Sequence, residues 1–256
     1  MSDVVTYEVV DKVAVVTIDR PEVYNAMSLE VFEGLLERGR QAGADDEVGA
    51  VLVRGAGGNL SSGLDVTIMG SLAGDVSHEF IIGLQDAFTV FEDLDKPTVA
   101  LVEGHCYGGG IQLAAACHMR LVAPSAKMSV LERKWGLVPD LGGTYRLPRL
   151  IGLGRATELV TTARTVEATE AMVIGLAEVA LGEDPYAEAL AWTAALANGP
   201  GAVRRTPRLL RENLSRTRDE ALEAERVAQI ECIGGPDVVE AVSAHLQRRD
   251  PEFVGR

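Results

Sequence analysis

The sequence has 256 residues, enough for one large domain or for one domain with an appended region. Hydrophobic residues make up 47% and charged residues 24%, as in ordinary globular proteins, so a sizeable core is expected. The net charge of −14 argues against nucleic acid and anionic membranes as main partners, although a small anionic ligand needs only a local basic or dipolar site.

The chain begins with strand patterns. Two alternating runs, Thr6–Val10 and Val13–Ile18, predict strands joined by a tight turn at Asp11 and Lys12. Ser28 then provides a suitable N-cap, and the apolar stripe that follows it predicts an amphipathic helix.

Strands and helices continue to alternate along the chain to about residue 123. Buried strands are predicted at Ala50–Arg54, in the segment "TVALVEG" and at Met119–Ala123, and helices at Phe80–Phe91 and Gly109–Cys117. This order predicts an α/β fold in which helices cover a largely buried sheet. From about Thr169 the strand signals fade, and "DPYAEALAWTAALANGP" and "TRDEALEAERVAQIECI" predict amphipathic helices.

Two glycine-containing turns each follow a predicted strand. One is "NLSSGLD"; the other holds three successive glycines, Gly108–Gly110, before an apolar helix. Glycine lets the backbone approach a ligand closely, and a helix N-terminus presents unpaired N–H groups. If each turn aimed one N–H at the same oxygen, the pair would form an oxyanion hole. Close packing of helix against strand is the alternative explanation for the glycines.

Five segments in order resemble signatures of the crotonase (enoyl-CoA hydratase/isomerase) family. They are "IDRPEVYNAMS", "LSSGLD", "KPTVALVEGHCYGGGIQLAAACHMRLVA", "AKMSVLERKWGLVPDLGGTYRLPRLIG" and "HLQRRDPEF". The resemblance implies a ββα-spiral core, residues 1–195, and a C-terminal helical trimerisation region, residues 196–256. It also implies a homotrimer or a dimer of trimers, and an acyl-CoA thioester as substrate with no prosthetic group.

The resemblance also implies roles for individual residues. The oxyanion N–H groups would belong to Leu64 and Gly109. These two residues, with Ser62, Asp65 and Val66, would bind the CoA part of the substrate, and the stretch from Ser62 to Val66 would line the adenine pocket through its backbone. Such donors stabilise the enolate oxygen that forms when a proton leaves the carbon beside a thioester.

The acidic residues distinguish two reactions within this family. Typical hydratases carry two glutamates, and the corresponding positions here are Gln112 and Glu132. Glutamine cannot take or give a proton at neutral pH. A further acid, Asp140, resembles a residue of the dienoyl-CoA isomerases. We therefore predict an enoyl-CoA double-bond isomerase in which Glu132, Asp140 or both move the proton.

Alternatives remain for the protein and for each residue. The protein would be a hydratase if Glu132 and Asp140 divided the acid and base roles, or an acyl-CoA-binding protein without turnover. Glu132 would otherwise belong to a solvent-facing charged run, Asp140 to a turn, and Gln112 to a helix with local hydrogen bonds. The acyl pocket is expected around Ile68–Gly83.

The cysteine and histidine content indicates location and excludes one class of site. Cys106, Cys117 and Cys232 are odd in number and far apart, so neither a disulfide framework nor a zinc site is expected. The histidines lack ligand spacing, and no metal is expected. With an acidic N-terminal segment that lacks a charged-then-apolar pattern, we expect a cytoplasmic protein.

Overall fold

A computed structural model describes residues 4–71 and 76–255 of the chain. Within them the strands are β1 Val5–Val10, β2 Val13–Ile18, β3 Ala50–Gly55, β4 Thr98–Val102, β5 His105–Tyr107, β6 Met119–Val122, β7 Lys127–Ser129, β8 Val166–Glu167 and β9 Val179–Ala180. The helices are α1 Leu29–Ala44, α2 Val66–Ser71, α3 His78–Glu92, α4 Gly109–Ala116, α5 Gly143–Ile151, α6 Leu153–Thr162, α7 Ala168–Ile174, α8 Pro185–Ala197, α9 Gly201–Asn213, α10 Arg218–Gly234 and α11 Pro236–Gln247.

The main sheet has six strands in the order β1-β2-β3-β4-β6-β9. The β1–β2 hairpin is antiparallel and every other pair in this sheet is parallel. Asp11 and Lys12 form the hairpin turn with positive φ angles of 48° and 61°, as a tight two-residue turn requires. Strand β4 is buried throughout, which is typical of a parallel strand covered on both faces.

Helices cover both faces of this sheet. On one face α1, α3 and α4 build the larger core cluster, in which the rings of Phe32 and Phe88 stack with their centroids 5.5 Å apart. On the other face α8 packs on the central strands and contributes Ala189, Ala194 and Ala197 to a second cluster. The predicted α/β fold is therefore confirmed.

A second, three-stranded sheet in the order β5-β7-β8 lies beside the segments that carry the glycine turns. Strand β5 ends at Tyr107, directly before the three glycines, and an isolated bridge joins Ser61 of the first turn to Cys106 of β5. The sequence prediction missed these strands, because elements of two or three residues have no recognisable period. It also missed β9, so strand structure does not end before Thr169 as expected.

Helices α9 to α11 form a C-terminal helical region with little core of its own. Their apolar side chains are largely exposed: Leu210 is 65% exposed, Ile230 71% and Leu246 77%. The carboxylate of Asp237 joins this region to the chain end, because it accepts hydrogen bonds from the backbone N–H groups of Gly201 and Val254, each at 2.8 Å. The predicted helical region is confirmed; the division at residue 195 stays a prediction.

Three further features bear on the sequence predictions: possible membrane-spanning helices, the cysteines and the acyl pocket. No helix in the described ranges is long and apolar enough to cross a membrane. All three cysteines are free; Cys106 and Cys117 are buried and Cys232, on α10, is partly exposed. Within the expected acyl-pocket segment, Ile68–Gly83, residues 72–75 lie outside the described ranges.

Candidate functional site

The two glycine turns lie against each other. A Cβ atom on Gly109 would lie 3.9 Å from the backbone nitrogen of Leu64, and one on Gly63 would lie 2.9 Å from the carbonyl oxygen of Tyr107. Gly63 and Gly108 have φ angles of 100° and 51°, in the region that glycine tolerates best. The two predicted oxyanion residues are thus brought together by a contact that side chains would prevent.

The backbone N–H groups of Leu64 and Gly109 have no hydrogen-bond acceptor within the described part of the chain. Gly109 is the first residue of α4, so its N–H group has no partner within the helix. Leu64 pairs with Met27 in an isolated bridge, but the bonds there are donated by the nitrogens of Met27 and Asp65. Two neighbouring N–H groups are therefore available to an external oxygen.

Polar contacts fix the first turn in this position. The Ser61 hydroxyl donates to the carbonyl of Asn25 at 2.7 Å and accepts from the Gly63 N–H at 3.0 Å. The carboxylate of Asp65 accepts from Arg20 at 3.0 Å and from the Thr67 hydroxyl at 2.7 Å. These bonds, the Thr67 bond foremost, lower the pKa of Asp65, so its carboxylate is committed to the protein.

The remaining predicted CoA-binding residues lie on the same turn. Ser62 donates its hydroxyl to the carbonyl of Val23 at 3.3 Å. Val66 begins α2 and is 55% exposed. Their side chains are thus bonded to the protein or apolar, which is compatible with a ligand contact made through the backbone.

Gln112 and Glu132 are in direct contact in the buried interior of the site. Helix α4 is buried on all sides, and Gln112, on that helix, is 1% exposed. Its side-chain oxygen accepts from the backbone N–H groups of Leu141 and Gly143, both at 2.9 Å. Its Nε2 donates to Oε1 of Glu132 at 2.6 Å. The two backbone donors fix which end of the amide faces Glu132, because only the amide oxygen can accept from them.

Glu132 is a buried carboxyl group with one oxygen unpaired. It lies on a 3-10 turn, Leu131–Trp135, and is 8% exposed. Oε2 is buried and has no hydrogen-bond partner among the described residues. A Cβ atom on Gly108 would lie 3.4 Å from Oε1, which places the carboxylate beside the second glycine turn. The alternative of a solvent-facing charged run does not hold for this residue.

Burial raises the pKa of Glu132 above its ordinary value. Loss of hydration is the largest cause, and the negative charge of Asp140 raises the pKa further. The Gln112 amide opposes the shift by donating to the charged form. A carboxylate of this kind is a stronger base than one in water.

Asp140 lies at the rim of the site, on the loop before α5. Partial burial of its carboxyl group raises the pKa of Asp140. The residue as a whole is exposed, so solvent screens its charge more than that of Glu132. Its backbone carbonyl accepts from Nε2 of Gln85 at 2.6 Å. Asp140 is therefore near enough to Glu132 for its negative charge to raise the pKa of Glu132.

Sequence reasoning overlooked Arg146 on α5, a buried charged residue next to the loop of Asp140. Its guanidinium contacts the carboxylate of Glu92 from Nε at 2.8 Å and donates from Nη1 to the carbonyl of Leu141 at 2.9 Å. The signal was available: Arg146 lies between Gly143 and Leu147 on the face that α5 buries, where a charged residue needs a partner.

In the described ranges no group of three or more His, Cys, Asp or Glu side chains could hold a metal ion.

The family model for enoyl-CoA hydratase/isomerase matches residues 8–256. The chain belongs to this family. A relative of full length, the crotonyl-CoA hydratase of Syntrophomonas wolfei, is 31% identical over 250 residues, or 96% of each chain. The crystal structure of a putative enoyl-CoA hydratase from Streptomyces coelicolor A3(2) superimposes with a TM-score of 0.93 at 31% identity and covers 98% of this chain and 94% of that one.

Some relatives in the enoyl-CoA hydratase/isomerase family are much longer than this chain. The peroxisomal fatty acid beta-oxidation multifunctional protein AIM1 of Arabidopsis thaliana is 38% identical over 168 residues, 65% of this chain but 23% of that protein. The chain thus matches about a quarter of the length of such relatives. The family's fold, predicted from the five sequence segments, is confirmed by these matches.

Proposed function

We propose that the protein is an enoyl-CoA isomerase that moves a double bond between C3–C4 and C2–C3 of an acyl-CoA thioester. The observation that carries the proposal is the pairing of Glu132 with an amide, Gln112, and not with a second acid. Among the described residues of this site, Glu132 is then the one buried acid that can exchange protons. One base is enough to remove a proton from one carbon and return it to another.

The reaction begins at the thioester carbonyl. Its oxygen accepts hydrogen bonds from the N–H groups of Leu64 and Gly109, which have no other acceptor among the described residues. Oε2 of Glu132 removes a proton from C2 of a 3-enoyl-CoA, and the electron pair moves into the enolate, whose oxygen carries the charge. The protonated Glu132 then delivers the same proton to C4 as the C2–C3 double bond forms. No atom is gained or lost.

Gln112 explains why isomerisation is favoured over hydration. Addition of water usually requires a second acid or base to activate the water, and an amide has no proton to exchange. The oxygen of Gln112 already accepts two backbone N–H groups, and its Nε2 faces Glu132. It is a support for Glu132 and for the loop of Asp140, rather than a holder of water.

Hydration of a 2-enoyl-CoA is the second candidate. Relatives carrying hydratase names favour it, among them the crotonyl-CoA hydratase of Syntrophomonas wolfei and the short-chain-enoyl-CoA hydratase of Clostridium acetobutylicum, 32% identical over 94% of each chain. In that case Asp140 would activate the water in place of the missing glutamate. A third candidate, an acyl-CoA-binding protein without turnover, is disfavoured by the free Oε2 of Glu132 and the two free N–H groups.

Substrate binding and assembly follow from the same proposal. The CoA part would lie along the turn of Ser62, Leu64, Asp65 and Val66, with the thioester at Gly109. The exposed apolar faces of α9 to α11 support a homotrimer or a dimer of trimers, because so much apolar surface is rarely left uncovered. The three cysteines are free, which supports the cytoplasmic location proposed from the sequence.

A paired assay tests the reaction. Purified protein is incubated with a 3-enoyl-CoA or with a 2-enoyl-CoA, and the products are separated by chromatography and weighed by mass spectrometry. Isomerisation gives a product of unchanged mass with a shifted double bond. A product heavier by one water molecule would refute the isomerase in favour of the hydratase. If neither substrate is converted but the CoA ester still binds, the binding protein would be favoured.

Two matched variants locate the base. Glu132→Gln keeps the shape of the side chain but removes its proton exchange, so we expect a loss of about 100-fold or more in kcat. Glu33→Gln makes the same chemical change at an exposed position on α1 and should leave the activity unchanged. Full activity of Glu132→Gln would show that another residue is the base.

A further inference from the structure

Three side chains hold the loop of Asp140 through its backbone, and a fourth holds one of those three. Gln112 accepts from the N–H groups of Leu141 and Gly143, and Gln85 donates to the carbonyl of Asp140 at 2.6 Å. Arg146 donates to the carbonyl of Leu141 at 2.9 Å. The fourth, Glu92, acts through Arg146 by pairing with its guanidinium. The carboxylate of Asp140 itself has no hydrogen bond from a side chain of the described residues.

Arg146 is the most strongly fixed of these groups. Its side chain is 7% exposed and that of Glu92 16%. Both Nε and Nη2 of Arg146 donate to Oε2 of Glu92, at 2.8 and 2.5 Å, and Nη2 also lies 3.2 Å from the hydroxyl of Thr89. The guanidinium therefore has a single available orientation, with Nη1 pointing at the loop.

The loop is shaped to receive this guanidinium. Gly142 has a φ of 90°, and a Cβ atom on it would lie 2.0 Å from Nη1 of Arg146. Only a residue without a side chain allows such an approach. Replacing a buried ion pair by apolar residues is often neutral or stabilising, so stability alone is a weak explanation for the Arg146–Glu92 pair.

The three partners on α3 share one face of that helix. Gln85, Thr89 and Glu92 are spaced by four and three residues, which places them in a row along the helix surface. All three contact either the loop or Arg146. One helix face thus holds the segment that carries Asp140.

We infer that Arg146 is a positioning residue that, held by Glu92, fixes Asp140 at its distance from Glu132. The inference rests on the proposed function, in which Glu132 is the base; Asp140 contributes the negative charge that raises the pKa of Glu132. Arg146 itself donates to the backbone carbonyl of Leu141 and to Glu92, so it acts through the loop. Gln112 completes the arrangement, because it contacts Glu132 with one end and the loop of Asp140 with the other.

The charged groups around Asp140 determine the sign of the expected pH effect. They are Glu132, whose pKa responds to Asp140, and the Arg146–Glu92 pair behind the loop. The negative charge of Asp140 makes Glu132 harder to ionise. When Asp140 moves away or loses its charge, Glu132 ionises at lower pH, and the acid limb of kcat/KM shifts to lower pH.

A double-mutant cycle in kcat tests the inference. Arg146→Lys keeps the charge but cannot form the same fork of hydrogen bonds. We expect its kcat to fall at least about tenfold, with KM changed by less than about threefold, and its acid limb to shift in the same direction as that of Asp140→Asn. Adding Arg146→Lys to Asp140→Asn should cost less than about twofold more, because both changes remove the same placement.

A purely structural role gives a different result. In that case Arg146→Lys lowers Tm but leaves the acid limb of kcat/KM at the pH of the wild type, and its effect on kcat adds in full to that of Asp140→Asn. Either an unshifted acid limb or full additivity overturns the inference. If Arg146→Lys does not fold, Gln85→Ala is tested instead. It removes the hydrogen bond to the carbonyl of Asp140 from a half-buried position, and an unchanged kcat and acid limb in this variant would overturn the inference. A wild type that does not isomerise refutes the proposed function instead.

Discussion

Replacing Gln112 by glutamate provides the sharpest test of the buried site. The change exchanges the NH₂ group that donates to Glu132 for an oxygen, at the same place and at nearly the same size. Since Nε2 of Gln112 lies 2.6 Å from Oε1 of Glu132, the charge centres of two carboxylates would be about 4 Å apart. At an effective dielectric constant of about 20 their repulsion is about 4 kcal/mol, equivalent to about three pKa units. The pair would therefore retain one proton near neutral pH.

The stability of Gln112→Glu should depend on pH with a definite sign. Below the unfolded value of about 4.3 both glutamates are protonated in the folded and the unfolded protein, so the repulsion costs nothing. As pH rises above that value, the unfolded chain ionises freely while the folded pair resists. The cost then grows until the raised pKa of the pair is passed. The Tm of the variant should fall below that of the wild type by on the order of 10 °C at pH 8, and the two should converge near pH 4.

Thermal unfolding of the variant and wild type across this pH range measures the effect. Gln41→Glu is the matched control, because it makes the same change at an exposed position beside Arg38 and should show no such divergence. A Tm difference that is constant with pH, or absent at pH 8, would refute the close contact of Gln112 with Glu132. The paired assay adds a second readout: isomerisation should fall, and any hydration of a 2-enoyl-CoA gained by the variant would come from the second proton-carrying group.

Three further substitutions probe the oxyanion site, the buried base and the scaffold. Gly109→Ala should lower kcat about 100- to 1,000-fold in the paired assay, because its Cβ would lie 3.1 Å from Met27 Sδ and close to the Leu64 nitrogen, where the thioester oxygen must fit; a kcat near that of the wild type would count against this oxyanion site. Glu132→Gln should resist urea better than the wild type at pH 8 but not at pH 4. The pKa of Glu132 is raised, so the cost of ionising this buried group appears only as pH rises. An equal gain in stability at both pH values would contradict this. Lys96→Met should lower the free energy of unfolding by about 2–4 kcal/mol, measured by urea titration, because the Lys96 ammonium donates to the carbonyls of Ala42 and Asp45 at the end of α1; an unchanged midpoint would show that water replaces it there.

The sequence was most informative where a regular period and a family signature coincided. Strand β2 and the start of α4 lie where the apolar pattern predicts them, since long buried strands and a helix after a glycine turn are strong local signals. The short strands β5, β7 and β8 could not be predicted, because their pairing depends on segments far apart in the chain.

The partners of the site residues were also beyond the sequence. The motif aligns Gln112 and Glu132 with known positions, but it does not show that one amide contacts both Glu132 and the loop at Leu141. That contact joins residues 20 and 29 positions apart and arises only when α4, the 3-10 turn and α5 pack together. The roles assigned to Leu64, Gly109 and the acids therefore stay predictions until the assays are done.

The distribution of cysteines makes the chain suitable for labelling at a single site. Cys106 and Cys117 are fully enclosed, and burial raises the pKa of Cys117 to about 12, so neither presents a thiolate to a maleimide reagent in the folded protein. Cys232 is partly exposed and lies on α10, among the uncovered apolar helices. A donor and an acceptor dye attached there on different copies would report energy transfer when the chains associate, without any cysteine having to be introduced or removed.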